Sequence, residues 1–294
     1  MIDNIRKIAN SKLDSTKKAD QDLPKLLNYA TSLLDIVEKM LRTEPQLDEE
    51  NDHLGVMIWA FVYKQVDHLS SIIALVDVGK DADAEIIART SIEGMYLLLW
   101  SFHGPMEGPR DRSFRWRAYP WIEEWRQIVK DNAKGETIDP ERKRMVEQQL
   151  QKFDDLFLTN DARDKKRKGE SLPADPYIKG WPSTNLEMMI EELLKIEKLQ
   201  KVLQLDKRHY DLIYRGISRW VHWDPRGIRQ AIKYDGNSVF YDSRSVNKAA
   251  VSLADGFTSL LRSAELFNYH FKLAFRDELT MVATACFDDT KGTD

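Results

Sequence analysis

Apolar residues recur every three or four positions through most of this 294-residue chain, the spacing that gives an α-helix one buried face. From Leu23 to Leu41 the face collects Leu26, Leu27, Ala30, Leu33, Leu34, Ile36, Val37 and Leu41. A second helix is expected from about Leu54 to Val78, with Gly79 in the position after the cap where helices often stop. A third spans Ala82 to Phe102 and ends in His103-Gly104-Pro105. Tyr119–Lys130 and Pro140–Phe157 read as two more. Thr184-x-x-Glu187 has the form of a capping box for a helix reaching Val202. Asp206 opens a helix to His222, closed by Asp224-Pro225, and Ser245–Phe275 forms a long final one.

Two stretches break the pattern. Asp161 to Pro182 carries the basic run Lys165, Lys166, Arg167, Lys168 and three prolines, and reads as a solvated loop. Between Ile228 and Tyr241, Asp235-Gly236 separates IKY from SVFY, the signal of a short hairpin. The expected fold is therefore all-α, a multi-helix bundle of about seven or eight helices with one short β-hairpin before the C-terminal helix. Residues 1–50 are expected as a helical segment packing on a main bundle over 51–280, with a loop at 159–182 and a mobile tail at 281–294.

Composition narrows the setting. With 44 basic against 48 acidic residues the net charge is −4, so wholesale attraction to nucleic acid is not expected, although local patches can still act. The single cysteine, Cys286, allows neither an internal disulfide nor a C-x-x-C metal knuckle. The first residues show no apolar signal core, and the longest apolar run, Val56–Tyr63, falls far short of the ~20 residues that span a bilayer. A reduced, cytoplasmic setting without membrane insertion is the expectation.

Three polar groupings could carry chemistry. Arg89-x-x-x-Glu93 sits among Ile86, Ile87, Ile92, Met95, Leu97, Leu98, Leu99 and Trp100. Residues four apart on a helix meet, so the pair is expected to be partly desolvated, either as a register-fixing ion pair or as part of a site. Tyr214, Ser218 and His222 follow Tyr210 at four-residue steps and form one polar stripe. Arg215 lies two turns before His222, and Arg219 one turn before it. An imidazole beside a fixed cation supplies a general acid/base and a stabiliser of phosphorane charge; the same histidine could instead cap its own helix. Arg110, Arg112, Arg115 and Arg117 alternate with Phe114, Trp116 and Tyr119. They could grip phosphates and stack bases, or snorkel outward while the rings pack inward. Glu50-x-x-His53 stands alone where a di-iron bundle needs two such motifs. With no H-E-x-x-H, P-loop, dinucleotide fingerprint or nucleophile elbow, neither a metal nor a cofactor is expected.

Arg89-x-x-x-Glu93 followed by Tyr214-x-x-x-Ser218-x-x-x-His222 resembles a bacterial helical family catalogued as domain of unknown function 5677, over about Leu54 to Phe275. That likeness implies a helical fold and no established activity. Arg215-x6-His222 also resembles the R-x(4–6)-H signature of HEPN-type ribonucleases, in which two protomers pair around one cleft and RNA is cut without metal. The resemblance implies Arg215 and His222 as catalytic pair. Gly216 stands where that signature often has a polar residue, and Arg219 competes for the cation's role. Three readings stay open: a HEPN-like ribonuclease of a toxin or phage-defence system, with RNA as substrate and a homodimer as its form; a non-catalytic helical module that binds a partner protein or small ligand; and nucleic-acid binding without cleavage.

Overall fold

The computed structural model describes residues 16–43, 45–104, 108–182, 184–197, 232–235, 238–241 and 244–288. Among them the helices are α1 (Thr16–Leu41), α2 (His53–Asp77), α3 (Asp81–His103), α4 (Pro109–Ala133), α5 (Pro140–Phe153), α6 (Asn160–Lys168), α7 (Leu186–Leu194), α8 (Val246–His270) and α9 (Arg276–Asp288). Strands β1 (Ile232–Asp235) and β2 (Ser238–Tyr241) pair antiparallel, Ile232 opposite Tyr241 and Asp235 opposite Ser238. The chain divides into two compact units, one formed by Met1–Gly104 with Leu186–Asp294 and the other by Pro105–Asn185.

The first unit is organised around α8. Its residues are buried on nearly every side, from Ala249 and Ala250 through Leu253, Phe257, Leu260 and Leu261 to Phe267. Such a helix is a bundle centre, and α1, α2, α3 and α9 all pack on it. Helices α2 and α3 form an antiparallel pair because the chain reverses sharply at Gly79. Its φ is +70°, and the amides of Gly79 and Lys80 close on Val76 O at 3.0 Å and Leu75 O at 2.7 Å. That double bond pattern is a Schellman stop. Helix α8 runs parallel to α3: Ser245 N donates to Asp81 Oδ2 at 2.5 Å, Lys248 pairs with Glu85 at 3.0 Å, and the rings of Phe102 and Tyr269 meet at 6.0 Å.

The second unit packs α4 against α5. Its core joins Tyr119, Ile122, Val146, Leu150, Phe153, Phe157 and Tyr177. Arg126 ties this core to the segment beyond α6: it pairs with Asp175 at 3.0 Å and donates to the carbonyls of Tyr177 and Ile178.

Several expected boundaries move. The stretch read as a loop from Asp161 contains α6, capped by the Thr159 hydroxyl at Ala162 N and ended by Gly169 at φ +72°. Its basic run is helical because Lys165 and Arg167 pair with Asp161 and Asp164 one turn back. Helix α4 starts at Pro109, ten residues before the expected Tyr119, since Gly108 and Pro109 suit the cap and first turn. Helix α5 ends at Phe153 and passes into a 3-10 turn at Asp154–Leu156. The capping box at Thr184 does not form: α7 begins at Leu186, and the buried Thr184 hydroxyl has no hydrogen-bond partner among the described residues. The expected helix over Ser245–Phe275 ends at His270, where Lys272 takes a positive φ of 52° and Asn268 Oδ1 accepts from Phe275 N at 3.0 Å. Residues 281–288, expected in a mobile tail, belong to α9, which buries Leu279, Val282 and Cys286.

Candidate functional site

The Arg89–Glu93 pair is on α3 as the spacing requires. Arg89 Nε donates to Glu93 Oε1 at 3.2 Å, with 12% of the arginine side chain and 32% of the glutamate side chain exposed. The cation is thus the more enclosed partner. It stands on a helix whose Ile92, Met95, Leu98, Leu99 and Trp100 are buried, so water screens it poorly.

The surroundings follow from helix geometry. Along the parallel α3 and α8 the contacts keep an almost constant offset, 163 residues at Glu85–Lys248 and 167 at Phe102–Tyr269. Arg89 is therefore level with the turn Ser252–Gly256. At about 100° per residue, Arg89 lies ~40° from the azimuth of Glu85, which meets α8. By the same step Ser252, Asp255, Ser259 and Arg262 lie within ~40° of Lys248, which meets α3. From Lys248 to Arg262 the azimuth of α8 that meets α3 is thus polar, and Leu266 continues it as an apolar residue. These four are enclosed: Ser252, Asp255 and Ser259 are buried and the Arg262 side chain is 11% exposed. The hydroxyls of Ser252 and Ser259 have no hydrogen-bond partner among the described residues.

The opposite side of α3 faces α2 through a second polar contact. Gln65 Nε2 donates to Ser91 O at 2.8 Å, and Ser91 Oγ donates back to Gln65 Oε1. Both residues are buried. His68, one turn along α2, is held below the ordinary histidine range by burial and, less strongly, by Lys64. At the C-terminal end of α3, Trp100 Nε1 donates to Glu192 of α7 at 2.6 Å. Neither Gln65–Ser91 nor Asp255 stands out by sequence spacing. The available signal was a polar residue inside an otherwise apolar helical run, as in AAVSLADGFTSLL.

Tyr214, Arg215, Ser218, Arg219 and His222 lie outside the described residues. The arginine-rich segment falls on α4, where Arg110 is exposed, Arg115 and Arg117 are half-buried and engaged, and Arg112 is 2% exposed. A guanidinium as enclosed as that of Arg112 is out of reach of a phosphate arriving from solvent. Arg126 is occupied by Asp175, by the Tyr119 hydroxyl at 3.0 Å and by two carbonyls. Burial opposes its charge, but the bonds to Asp175 and Tyr119 raise its pKa further still.

Among the described residues no three His, Cys, Asp or Glu side chains gather as a metal site requires. No helix among them is long and apolar enough to cross a membrane. Neither a curated protein nor a solved structure matches the chain. A family model does match it, over residues 56–239, well over half its length and from early α2 through the first residues of β2. The chain belongs to that family, the family of unknown function DUF5677.

Proposed function

We propose that this protein is a HEPN-like, metal-independent ribonuclease of a toxin or phage-defence system, working in the bacterial cytoplasm. In this reading the 2′-hydroxyl of RNA attacks the adjacent phosphorus while His222 takes its proton. The 5′-oxygen takes that proton from the His222 imidazolium as it leaves as a hydroxyl, and the other product carries a 2′,3′-cyclic phosphate. Arg215, or Arg219 one turn nearer, neutralises the charge that builds on the phosphorane. Tyr214 and Ser218 offer hydroxyl donors along the same stripe, and Arg89 with Glu93 supports them.

The observation that carries the reading is the enclosed charge pair Arg89–Glu93 on a bundle helix, level with the polar face of α8. Buried ion pairs contribute little to stability, because desolvation offsets their attraction. Keeping a half-enclosed pair on α3 is easier to understand if a charged ligand is handled there. The test uses the full chain and labelled RNA in excess EDTA. Cutting should persist without metal, and His222→Ala should slow it by about 10²–10⁴-fold, the share a general acid/base supplies. RNA cleavage undiminished by that substitution overturns the proposal.

A second reading rests on a separate feature. The exposed side of helix α2 carries Trp59 and Tyr63, 38% and 41% exposed, with ring centroids 4.3 Å apart. Aromatic pairs of this kind anchor protein interfaces, which favours a helical module that binds a second copy of this chain. Sedimentation of the wild type against Trp59→Glu tests it: a dimer converted to monomer is expected, and a wild-type monomer at high concentration refutes it.

A further inference from the structure

We propose that the cleft between α4 and α5, within the second unit, is a binding site for a free aromatic α-amino acid. The inference is independent of the ribonuclease reading.

A locked helical hairpin builds the cleft. Trp125, Ile128, Val129 and Asn132 recur at steps of three and four on α4, and Lys143, Val146 and Glu147 do so on α5. Each set therefore forms one stripe, and the two stripes line the cleft from opposite helices. Gly135 stops α4 with φ +77°. Its amide donates to Asn132 O and that of Glu136 to Asp131 O, both at 3.0 Å, a Schellman pattern. The turn then brings Ile138 into the lining, and Asp139 Oδ1 accepts from Glu141 N at 3.0 Å at the start of α5. Arg142 of α5 is bonded to Glu124 of α4, which ties the two helices together. The cleft stands ready before any ligand arrives, so binding spends little on ordering the protein.

Size and lining select the ligand. The cleft holds about 250 Å³, and an apolar cavity of roughly 150 Å³ takes one benzene, so an indole ring with a short polar head fits. Ile128 and Val146 form its dry base, 6% and 0% exposed. Trp125 is half-buried, and Tyr177 meets its ring edge-on at 5.0 Å. An aromatic ligand laid against these groups gains apolar burial together with ring–ring attraction. The rim is of opposite character. Lys143 Nζ and Glu147 Oε1 lie 3.8 Å apart, each side chain 55% exposed. An ion pair this wet contributes little to stability and opens readily. Its adjacent charges match those of an α-amino acid in reverse, the α-carboxylate on Lys143 and the α-ammonium on Glu147. Asn132, exposed on the α4 stripe, offers the same head a donor and an acceptor. A purely apolar molecule leaves this rim unused, and a singly charged one meets like charge on half of it.

The experiment is calorimetric titration of the full chain with L-tryptophan. Saturable binding with a Kd of about 1 mM or tighter is expected. Indole-3-propionate, which lacks the ammonium, should bind about tenfold more weakly, because it forgoes a charge-assisted bond. Glu147→Gln, at an exposed position that leaves the fold intact, should weaken L-tryptophan about tenfold and leave indole-3-propionate unchanged. Val129→Trp, which fills the cleft from a rim position 41% exposed, should abolish binding of both. No saturable heat with L-tryptophan at about 10 mM overturns the proposal. So does indole-3-propionate binding as tightly as L-tryptophan, or L-tryptophan affinity untouched by either substitution.

Discussion

The reciprocal contact between Gln65 and Ser91 allows a worked prediction about what pins α2 to α3. Both side chains are shut off from water. Ser91 Oγ donates to Gln65 Oε1, and Gln65 Nε2 donates to Ser91 O at 2.8 Å. In Ser91→Ala only one oxygen is lost, so the cavity is small, but Gln65 Oε1 becomes a buried acceptor without its donor. Such an atom costs about 1–3 kcal/mol. Gln65→Leu removes both bonds yet leaves less behind: Ser91 O belongs to the α3 ladder, and the serine hydroxyl can turn to a carbonyl one turn back, as Ser101 does to Leu97 O at 2.7 Å. The double variant Gln65→Leu/Ser91→Ala leaves neither partner orphaned and should be more stable than Ser91→Ala alone by about 1 kcal/mol. Urea unfolding reads this directly as a higher midpoint at constant slope. If the double variant loses the sum of the two single losses, the two residues are not partners in the sense described.

Other expectations are as direct. Burial lowers the pKa of His68 from 6.5, so the unfolded chain takes up that proton first; stability is full above pH 6.5 and falls as pH drops below it. His68→Gln should flatten the pH dependence of the urea midpoint, and an unchanged slope in the variant contradicts the assignment. Removing Glu93 takes a carboxylate from a cation with 12% exposure, whereas removing Arg89 leaves a carboxylate that is one-third exposed and open to water. Glu93→Gln should therefore lower Tm more than Arg89→Met, and the reverse order would refute the burial argument. Gly256→Ala places a Cβ 2.7 Å from Ile72 Cδ1 and 3.1 Å from Leu69 Cδ1. Overpacking of about 1–3 kcal/mol should outweigh a helix-propensity gain of about 1 kcal/mol, and Ile72→Val, which deletes the Cδ1 methyl, should recover stability in the Gly256→Ala background.

The parts of the fold legible in the sequence are those set by local spacing. The periodic apolar faces of α1, α2, α3 and α8 are visible because each helix hides one stripe or more, and Gly79 marks its turn because a left-handed residue there is nearly obligatory. Arg89–Glu93 is visible because a spacing of four makes the contact within one helix. Gln65–Ser91 and Asp255 depend on how helices distant in sequence are set beside one another, so no window of residues contains them. Helix α6 is hidden in the sequence because it rests on lysine–aspartate and arginine–aspartate pairs and on its caps, with no apolar stripe to count. The break between α8 and α9 escaped because Lys272 adopts a positive φ without glycine or proline to announce it. Arg112 shows the same limit: in sequence it is one arginine among several, and only tertiary packing makes it the buried one.

In the proposed reaction RNA is both substrate and source of the nucleophile. The direct measurement compares two oligonucleotides, an all-ribose strand and the same strand with a single 2′-deoxyribose at the cut position, each incubated with the full chain in EDTA and resolved by mass. The all-ribose strand should yield a 2′,3′-cyclic phosphate and a 5′-hydroxyl, and the substituted strand should stay whole at that bond. Cleavage of the deoxyribose linkage at the same rate, or an all-ribose strand left intact, contradicts the account.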